Sequence, residues 1–349
     1  MGRDFTMTDA INSASTPKKK VDFKGVLTQL GSLLALFILC VILTIATPNF
    51  LTMTNFMNIL RQTAINSFIS AGMLLALITA GIDLSVGANC VLCGCVMGAL
   101  ANKLQVTNSF VLILAALATG LLVGLANGLL LTKLHLPHPF VSTMGMKLVL
   151  CGLALLVVNS QTVANFPEGV TALGSINLFK TKGYSGFPLA FLVVIIVFII
   201  FHFFLTRSAL GRKIFCVGGN PEAARLAGIN SDNVLISVYT ISGLMCAIAG
   251  IVLVGRTGVA NPAAAMEPYD SDAIAACIIG GASFMGGKGT MWGTIIGALM
   301  ISTIRNGLNL LQASNDIQNI VVGLVIIGAV CIDVYRGKME ERARRLATK

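Results

Sequence analysis

Three groups of residues have types and spacings that could do chemistry. Asp83 lies in Gly81-Ile82-Asp83-Leu84-Ser85-Val86-Gly87 and Asp272 in Tyr269-Asp270-Ser271-Asp272, each beside an apolar run. A charge at the centre of a bilayer costs about 2.5–3.5 kcal/mol on insertion scales, so each carboxylate needs a partner or water. Each reads in one of two ways, as a pathway or hinge residue or as the cap of the helix that follows; the spacing favours the cap. Cys90, Cys93 and Cys95 have CxxC spacing, but no second CxxC or nearby His completes four metal ligands. Ala282-Ser283-Phe284-Met285-Gly286-Gly287-Lys288-Gly289 approaches a phosphate-cradling GxxxxGK[ST] loop. Ala282 replaces its first Gly, Gly289 replaces its Ser or Thr, and no soluble strand precedes it. Gly287-Lys288-Gly289 with Gly293 misses GxGxxG by one residue. Both patterns read as a tight turn. His135, His138 and His202 do not cluster, and no Ser/His pair, His-Glu-x-x-His or paired aspartates share one apolar run, so catalysis by this chain is not expected.

The elements that must position these residues are apolar. Of 349 residues, 56% are hydrophobic and 11% charged, with mean hydropathy +0.87. An average soluble domain carries roughly 25% charge, and a disordered chain needs low hydrophobicity, so both classes are excluded. An all-α polytopic membrane protein remains. With about 20 apolar residues per span, ten spans fit: 26–46, 57–80, 86–101, 109–132, 140–158, 188–205, 234–254, 272–286, 291–309 and 317–334. The third and eighth are short, which suggests tilted or broken helices. The 36 glycines suit close helix packing, and most of the nine cysteines act as small hydrophobes inside apolar runs. Residues 1–25 form a polar tail without a cleavage site, and Met7 offers an alternative start. Residues 26–335 form the membrane domain and 336–349 a second tail.

The net charge of +10 reads as topology rather than nucleic-acid binding. With ten spans and an inside N-terminus, 17 of the 24 Lys and Arg fall inside, Lys18, Lys19, Lys20 and Lys349 among them. The exceptions are Arg61, Lys103, Lys147, Lys180, Lys182, Arg256 and Arg305. Both termini are therefore expected in the cytoplasm. Loop 159–187 lies outside and loop 206–233 inside. The inside loop contains Gly218-Gly219-Asn220-Pro221-Glu222-Ala223-Ala224-Arg225-Leu226-Ala227-Gly228. Asn220 is an N-cap, Pro221 suits the first helical position, Glu222 complements the helix dipole, and Gly228 fits a helix stop. A capped helix on a loop far longer than a connector needs suggests docking of a cytoplasmic partner.

This loop resembles the coupling loop of the ribose/galactose/xylose branch of ABC importer permeases. Gly81 to Gly87, Tyr269-Asp270-Ser271-Asp272-Ala273-Ile274-Ala275-Ala276, Gly280 to Thr290, and Asn306-Gly307-Leu308-Asn309-Leu310-Leu311 resemble that family's signatures in order, with Asp270 where the family has Glu. The likeness runs from about residue 25 to 335. It implies a fold like the vitamin B12 permease, with an N-terminal helix and two inverted repeats. Both halves have a short span after an acidic residue, Asp83 in one and Asp272 in the other, and interrupted segments in matching positions are a sign of such repeats. It also implies a bacterial inner-membrane importer of a monosaccharide such as ribose. The partners implied are a second permease copy, an ABC ATPase with two fused cassettes that binds ATP and Mg, a periplasmic sugar-binding protein and membrane lipid. No cofactor or metal is expected in this chain.

On that resemblance, Gly218, Gly219, Asn220, Pro221, Glu222, Ala223, Ala224 and Arg225 would couple to the ATPase. Asp83, Ser85, Phe140, Ser142, Thr143, Asn159 and Asp272 would line the pathway, since a neutral sugar needs hydroxyl and amide partners rather than a counter-ion. Ser142 and Thr143 could equally bond the carbonyls of their own helix. Arg256, Lys103 and Glu267 would meet the binding protein, although solubility explains such outer charges too. Arg61, Lys147 and Arg305 would snorkel or pair with carboxylates. His202, between Phe201 and Phe203, reads as packing. An ion-coupled secondary transporter with Asp83 or Asp272 as proton carrier is the competing reading, and it leaves the capped inside loop without a task.

Overall fold

Apolar segments close their backbone hydrogen bonds within themselves where no water can replace them, so the chain forms helices. The computed structural model describes residues 23–134, 138–181 and 186–347. Lys18, Lys19, Lys20, most of the expected tail 1–25, His135, Lys182 and Lys349 lie outside the described residues. In chain order the helices are α1 (Phe23–Ala46), α2 (Met53–Ile78), α3 (Val86–Lys103), α4 (Ser109–Lys133), α5 (Pro139–Val157) and α6 (Glu168–Ser175). A two-residue ribbon pairs β1 (Asn177–Leu178) with β2 (Phe187–Pro188). Then follow α7 (Leu189–Arg207), α8 (Ala209–Gly219), α9 (Pro221–Leu226), α10 (Ser231–Thr257), a 3-10 turn over Pro262–Met266, α11 (Tyr269–Ile279), α12 (Met291–Leu310) and α13 (Asn315–Ala347).

Among the described residues six helices are long and apolar enough to cross a membrane: α3, α4, α5, α7, α10 and α13 over Asn315–Met339. Helix α2 is more polar, with Asn55, Thr63, Asn66, Ser67 and Ser70 on it, and it is buried along most of its length. Phe37, Ile42 and Ile45 of α1 and Leu324 and Ile327 of α13 are exposed, an apolar surface suited to hydrocarbon.

Helix α10 lies at the centre and packs against α4, α2 and α3. Its seam with α4 is built from missing side chains. Gly120, Gly124 and Gly128 recur every fourth residue and so share one face of α4. They meet Gly243 with Ala247, Tyr239 with Thr240, and Ile236 of α10. A Cβ on Gly124 would strike the carbonyl oxygen of Tyr239, and one on Gly128 would lie 2.8 Å from the Cα of Ile236. Such small-residue faces bring helix backbones into van der Waals contact.

One expectation needs correction, and three segments hold more structure than expected. Helix α11 ends at Ile279, well before 286, because Gly280 backs onto the backbone of Gly293 and the chain then turns through Gly281, Gly286 and Gly287 at positive φ. Loop 206–233 contains two helices, α8 as well as α9. Loop 159–187 holds α6 and the β ribbon. The segment after 335 continues α13 to Ala347, in keeping with its helix-forming composition.

The glycine seam generates a prediction. Gly124→Val should destabilise the protein by about 1–3 kcal/mol or prevent its folding, through overpacking. Gly152→Ala, on α5 with nothing within 4 Å of its added Cβ, should be tolerated. Thermal unfolding of both variants in detergent checks this.

Candidate functional site

Helix α2 stops at Ile78 inside the bundle, and the chain crosses residues 79–85 without helical structure before α3 begins. The Ala76 carbonyl absorbs part of the resulting demand, accepting from the Thr79 N–H at 3.0 Å, the Gly81 N–H at 2.9 Å and Thr79 Oγ1 at 2.8 Å. The Ile82 carbonyl accepts from Thr143 Oγ1 on α5 at 3.1 Å and from Tyr239 Oη on α10 at 3.5 Å.

Asp83 is 2% exposed. Its Oδ1 accepts from the Ser85 N–H at 3.0 Å and from Ser85 Oγ at 2.6 Å, and its Oδ2 from Ser242 Oγ at 3.4 Å. Asn127 Nδ2 on α4 donates to Ser85 Oγ at 2.8 Å. The expected cap is therefore corrected: Ser85 holds the N-cap position of α3, makes no side-chain cap bond there, and Asp83 instead closes the turn before it. Among the described residues no Lys or Arg pairs with Asp83; its partners are hydroxyls and a backbone amide.

Two ion pairs hold α11. Lys147 Nζ on α5 lies 2.7 Å from Asp270 Oδ2. Arg305 on α12 grips Asp272 with both arms, Nε to Oδ2 at 2.6 Å and Nη2 to Oδ1 at 2.7 Å. Asp272 does not precede the helix as a cap; it lies with Asp270 in the first turn of α11, where the helix dipole favours negative charge. Tyr269 seats against Gly87 of α3, where an added Cβ would come 3.0 Å from the tyrosine Cβ. Lys147 and Arg305 thus pair rather than snorkel. Arg61 donates to Asn58 at 2.7 Å and to Asn177 at 3.1 Å.

The structure brings Asp83, Ser85 and Thr143 together but not the rest of the expected pathway set. Thr143 also donates to the Pro139 carbonyl at 3.0 Å, and Ser142 donates to the same oxygen at 2.9 Å. Phe140 is exposed. Asn159 sits beyond the far end of α5 and accepts from Lys103 Nζ at 3.2 Å. Arg256, in the last turn of α10, and Glu267, after the 3-10 turn, are exposed near one another along the chain. The His202 ring meets Phe203 edge-on and Trp292 at a tilt, with centroids 5.7 and 5.9 Å apart, a packing contact.

At the end of α10 away from Arg256, Asn220 closes α8 and caps α9, accepting from the Ala223 N–H at 3.0 Å. Pro221 opens α9 and Gly228 follows it at φ 76°. Ala224 is buried, whereas Leu226 is exposed. Glu222 and Arg225 pair at 2.6 Å in solvent, and the guanidinium holds the Glu222 carboxyl below its ordinary range. Gly218 leaves no room for a Cβ against the Ile78 carbonyl oxygen, and that oxygen accepts from the Gly287 N–H at 2.8 Å. Gly286 and Gly287 lie against Gly218 and Gly219. The end of α2, the end of α8 and the 280–290 turn therefore meet backbone to backbone. Sequence reasoning missed this junction and α8 itself. The signal was available: Ser208 caps α8 through the Gly211 N–H, and Gly211, Ile214 and Gly218 recur at helical spacing on its buried face.

Residues 55–330 match the family model described as branched-chain amino acid transport system / permease component. The chain is 39% identical over 311 residues to the ribose import permease protein RbsC of Escherichia coli (strain K12), covering 89% of this chain and 95% of that protein. It is 37% identical over 331 residues to the D-allose transport system permease protein AlsC of the same organism, covering 93% and 98%. It is 36% identical over 285 residues to the fructose import permease protein FrcC of Rhizobium meliloti, covering 80% and 78%. No solved structure matches the chain.

The ion pair on α11 gives a test. Asp272→Asn strands a mostly buried guanidinium and should cost about 3 kcal/mol. Replacing both partners, Asp272→Leu with Arg305→Met, should cost less than the single change, because no charge is left unpaired. Denaturant unfolding in lipid nanodiscs would read both.

Proposed function

Since the chain belongs to the branched-chain amino acid transport system / permease component family, we propose that it is the membrane-spanning subunit of a binding-protein-dependent ABC importer for a neutral monosaccharide such as ribose. What carries the reading is the match to permeases named for ribose, D-allose and fructose over most of both chains. In this reading two copies form the pathway, an ATPase with two fused cassettes binds ATP and Mg on the cytoplasmic side, and a periplasmic protein delivers the sugar. The chain itself is not catalytic. It crosses a bacterial inner membrane ten times, α1 through α13 less α6, α8 and α9, with residues 26–335 as the permease domain and both termini in the cytoplasm. The halves form inverted repeats like those of the vitamin B12 permease.

The residues take roles to match. Asp83, Ser85, Thr143 and Asp272 act at the interior breaks around which the helices rearrange, with Phe140, Ser142 and Asn159 along the pathway side of α5. Gly218 to Arg225 receive the ATPase. Arg256, Lys103 and Glu267 meet the binding protein. The exposed Glu222, Arg225 and Leu226 lie on a helix that follows directly from α8, which packs on the end of α2, and this supports the docking role. A proton carrier finds less support, since Asp272 is clamped by Arg305.

Uptake of a sugar by the reconstituted transporter should survive a protonophore and vanish without the ATPase; the reverse pattern would exclude the reading. A charge exchange tests the docking helix. Glu222→Lys with Arg225→Glu keeps a local i,i+3 pair but sets both charges against the helix dipole, so the short exposed helix should lose only modest stability, which circular dichroism of the variant would read. Sugar-stimulated ATP hydrolysis should nevertheless fall about tenfold, as expected when a charged contact with a partner is reversed. Full stimulation in this variant would remove the docking role. The native pair forms above the ordinary carboxylate pKa and is lost as pH falls through the lowered value of Glu222, so coupling should hold from neutral pH down to that acid range.

A further inference from the structure

A cavity of about 320 Å³ opens between α2, α10, α11, α12 and α13, at the end of the bundle away from α8 and α9. Small-molecule sites occupy roughly 300–1,000 Å³, so it has room for a single sugar ring. Its deep wall includes Asn66, Asp272 and Gln318, exposed by 7%, 7% and 4%. Two groups on that wall have no hydrogen-bond partner among the described residues, Asn66 Nδ2 and Gln62 Oε1. They lie one helical turn apart on α2, a donor and an acceptor lining one space. A buried polar group left unpaired costs about 1–3 kcal/mol, and each such case calls for an explanation.

The charges around the cavity restrict what could fill it. Asp272 and Arg305 satisfy one another, and Arg256 and Glu267 contribute opposite signs at the mouth. No net charge is left to hold an anion or a cation. Hydroxyl groups both donate and accept, so a neutral polyol can bond the free amide atoms and the outer lone pairs of the ion pair together. Tyr269 adds an apolar ring face to the same wall.

We propose that this cavity is a monosaccharide station within a single protomer, in which Gln62 Oε1 accepts from and Asn66 Nδ2 donates to sugar hydroxyls. The inference rests on the sugar-permease reading and adds a binding site inside the permease to it. Saturation-transfer NMR on the full chain in lipid nanodiscs tests it with D-ribose, D-allose and D-fructose, using L-leucine as a zwitterionic comparison. At least one sugar should give a saturable signal that L-leucine does not. Asn66→Leu and Gln62→Leu should each weaken it about tenfold, the effect of losing one or two hydrogen bonds at a buried site. Gln62 is only half-buried, so its variant keeps the test open if Asn66→Leu fails to fold. The proposal is overturned if no sugar signal exceeds that of L-leucine, or if Gln62→Leu leaves it unchanged. ATP-driven uptake by the assembled transporter separates the two claims. Sugar uptake without sugar signal discards the cavity and keeps the permease reading, whereas uptake of L-leucine but no sugar discards both.

Discussion

A helix that stops inside an apolar bundle must find new partners for its last carbonyls and for the next helix's first amides. That demand arises where α2 gives way to α3, and the surrounding structure is arranged to meet it. Tyr239, Ser242, Asn127 and Thr143 come from three different helices, and each reaches the segment 82–85 directly or through Ser85. Helices α4 and α10 can bring two of these groups to one point only because their glycine faces let them approach so closely. Without the seam, the hydroxyl of Ser242 and the amide of Asn127 would stand farther apart and the carboxylate of Asp83 would lose part of its shell.

The second interior break follows a different rule. Around Asp83 a carboxylate is held by two hydroxyls and one backbone amide. At the start of α11 two carboxylates are each matched by a cation from another helix, Lys147 from α5 and Arg305 from α12. A buried ion pair contributes little net stability but is costly to split, so such pairs fix which helices are neighbours more than how tightly they pack. Because the cations at α11 are consumed internally, that break offers hydrogen bonds without a net charge, a setting compatible with a neutral cargo.

Much of this was legible in the sequence for identifiable reasons. The capped helix after Asn220 was readable because each of its signals is local: an N-cap, a proline at the first position, a closing glycine. Six spans were readable from hydropathy, α3, α4, α5, α7, α10 and α13, whereas α2 and α12 are long helices without that apolarity and α11 has only 11 residues. The local bond between Asp83 and Ser85 was readable, but the distant partners of Asp83 and Asp272 were not. They lie 159 residues away at Ser242 and 33 away at Arg305, and no spacing rule connects them. The early end of α11 was misjudged for a related reason. The glycines up to Gly293 read as a turn, but Ala282 to Met285 is apolar enough to continue a span, and the contact between Gly280 and Gly293 places the turn earlier.

The junction of Gly218, Ile78 and Gly287 has a mechanical meaning. Side chains yield to a displacement by changing rotamer, which absorbs motion between neighbouring elements. Here main chain presses on main chain, and one hydrogen bond ties the turn to the helix end. Nothing at the contact can deform cheaply, so a shift of α8 reaches α2 and the 280–290 turn at full amplitude and in phase. A larger residue at Gly218 would first break the contact; the two glycines give the joint its lack of play.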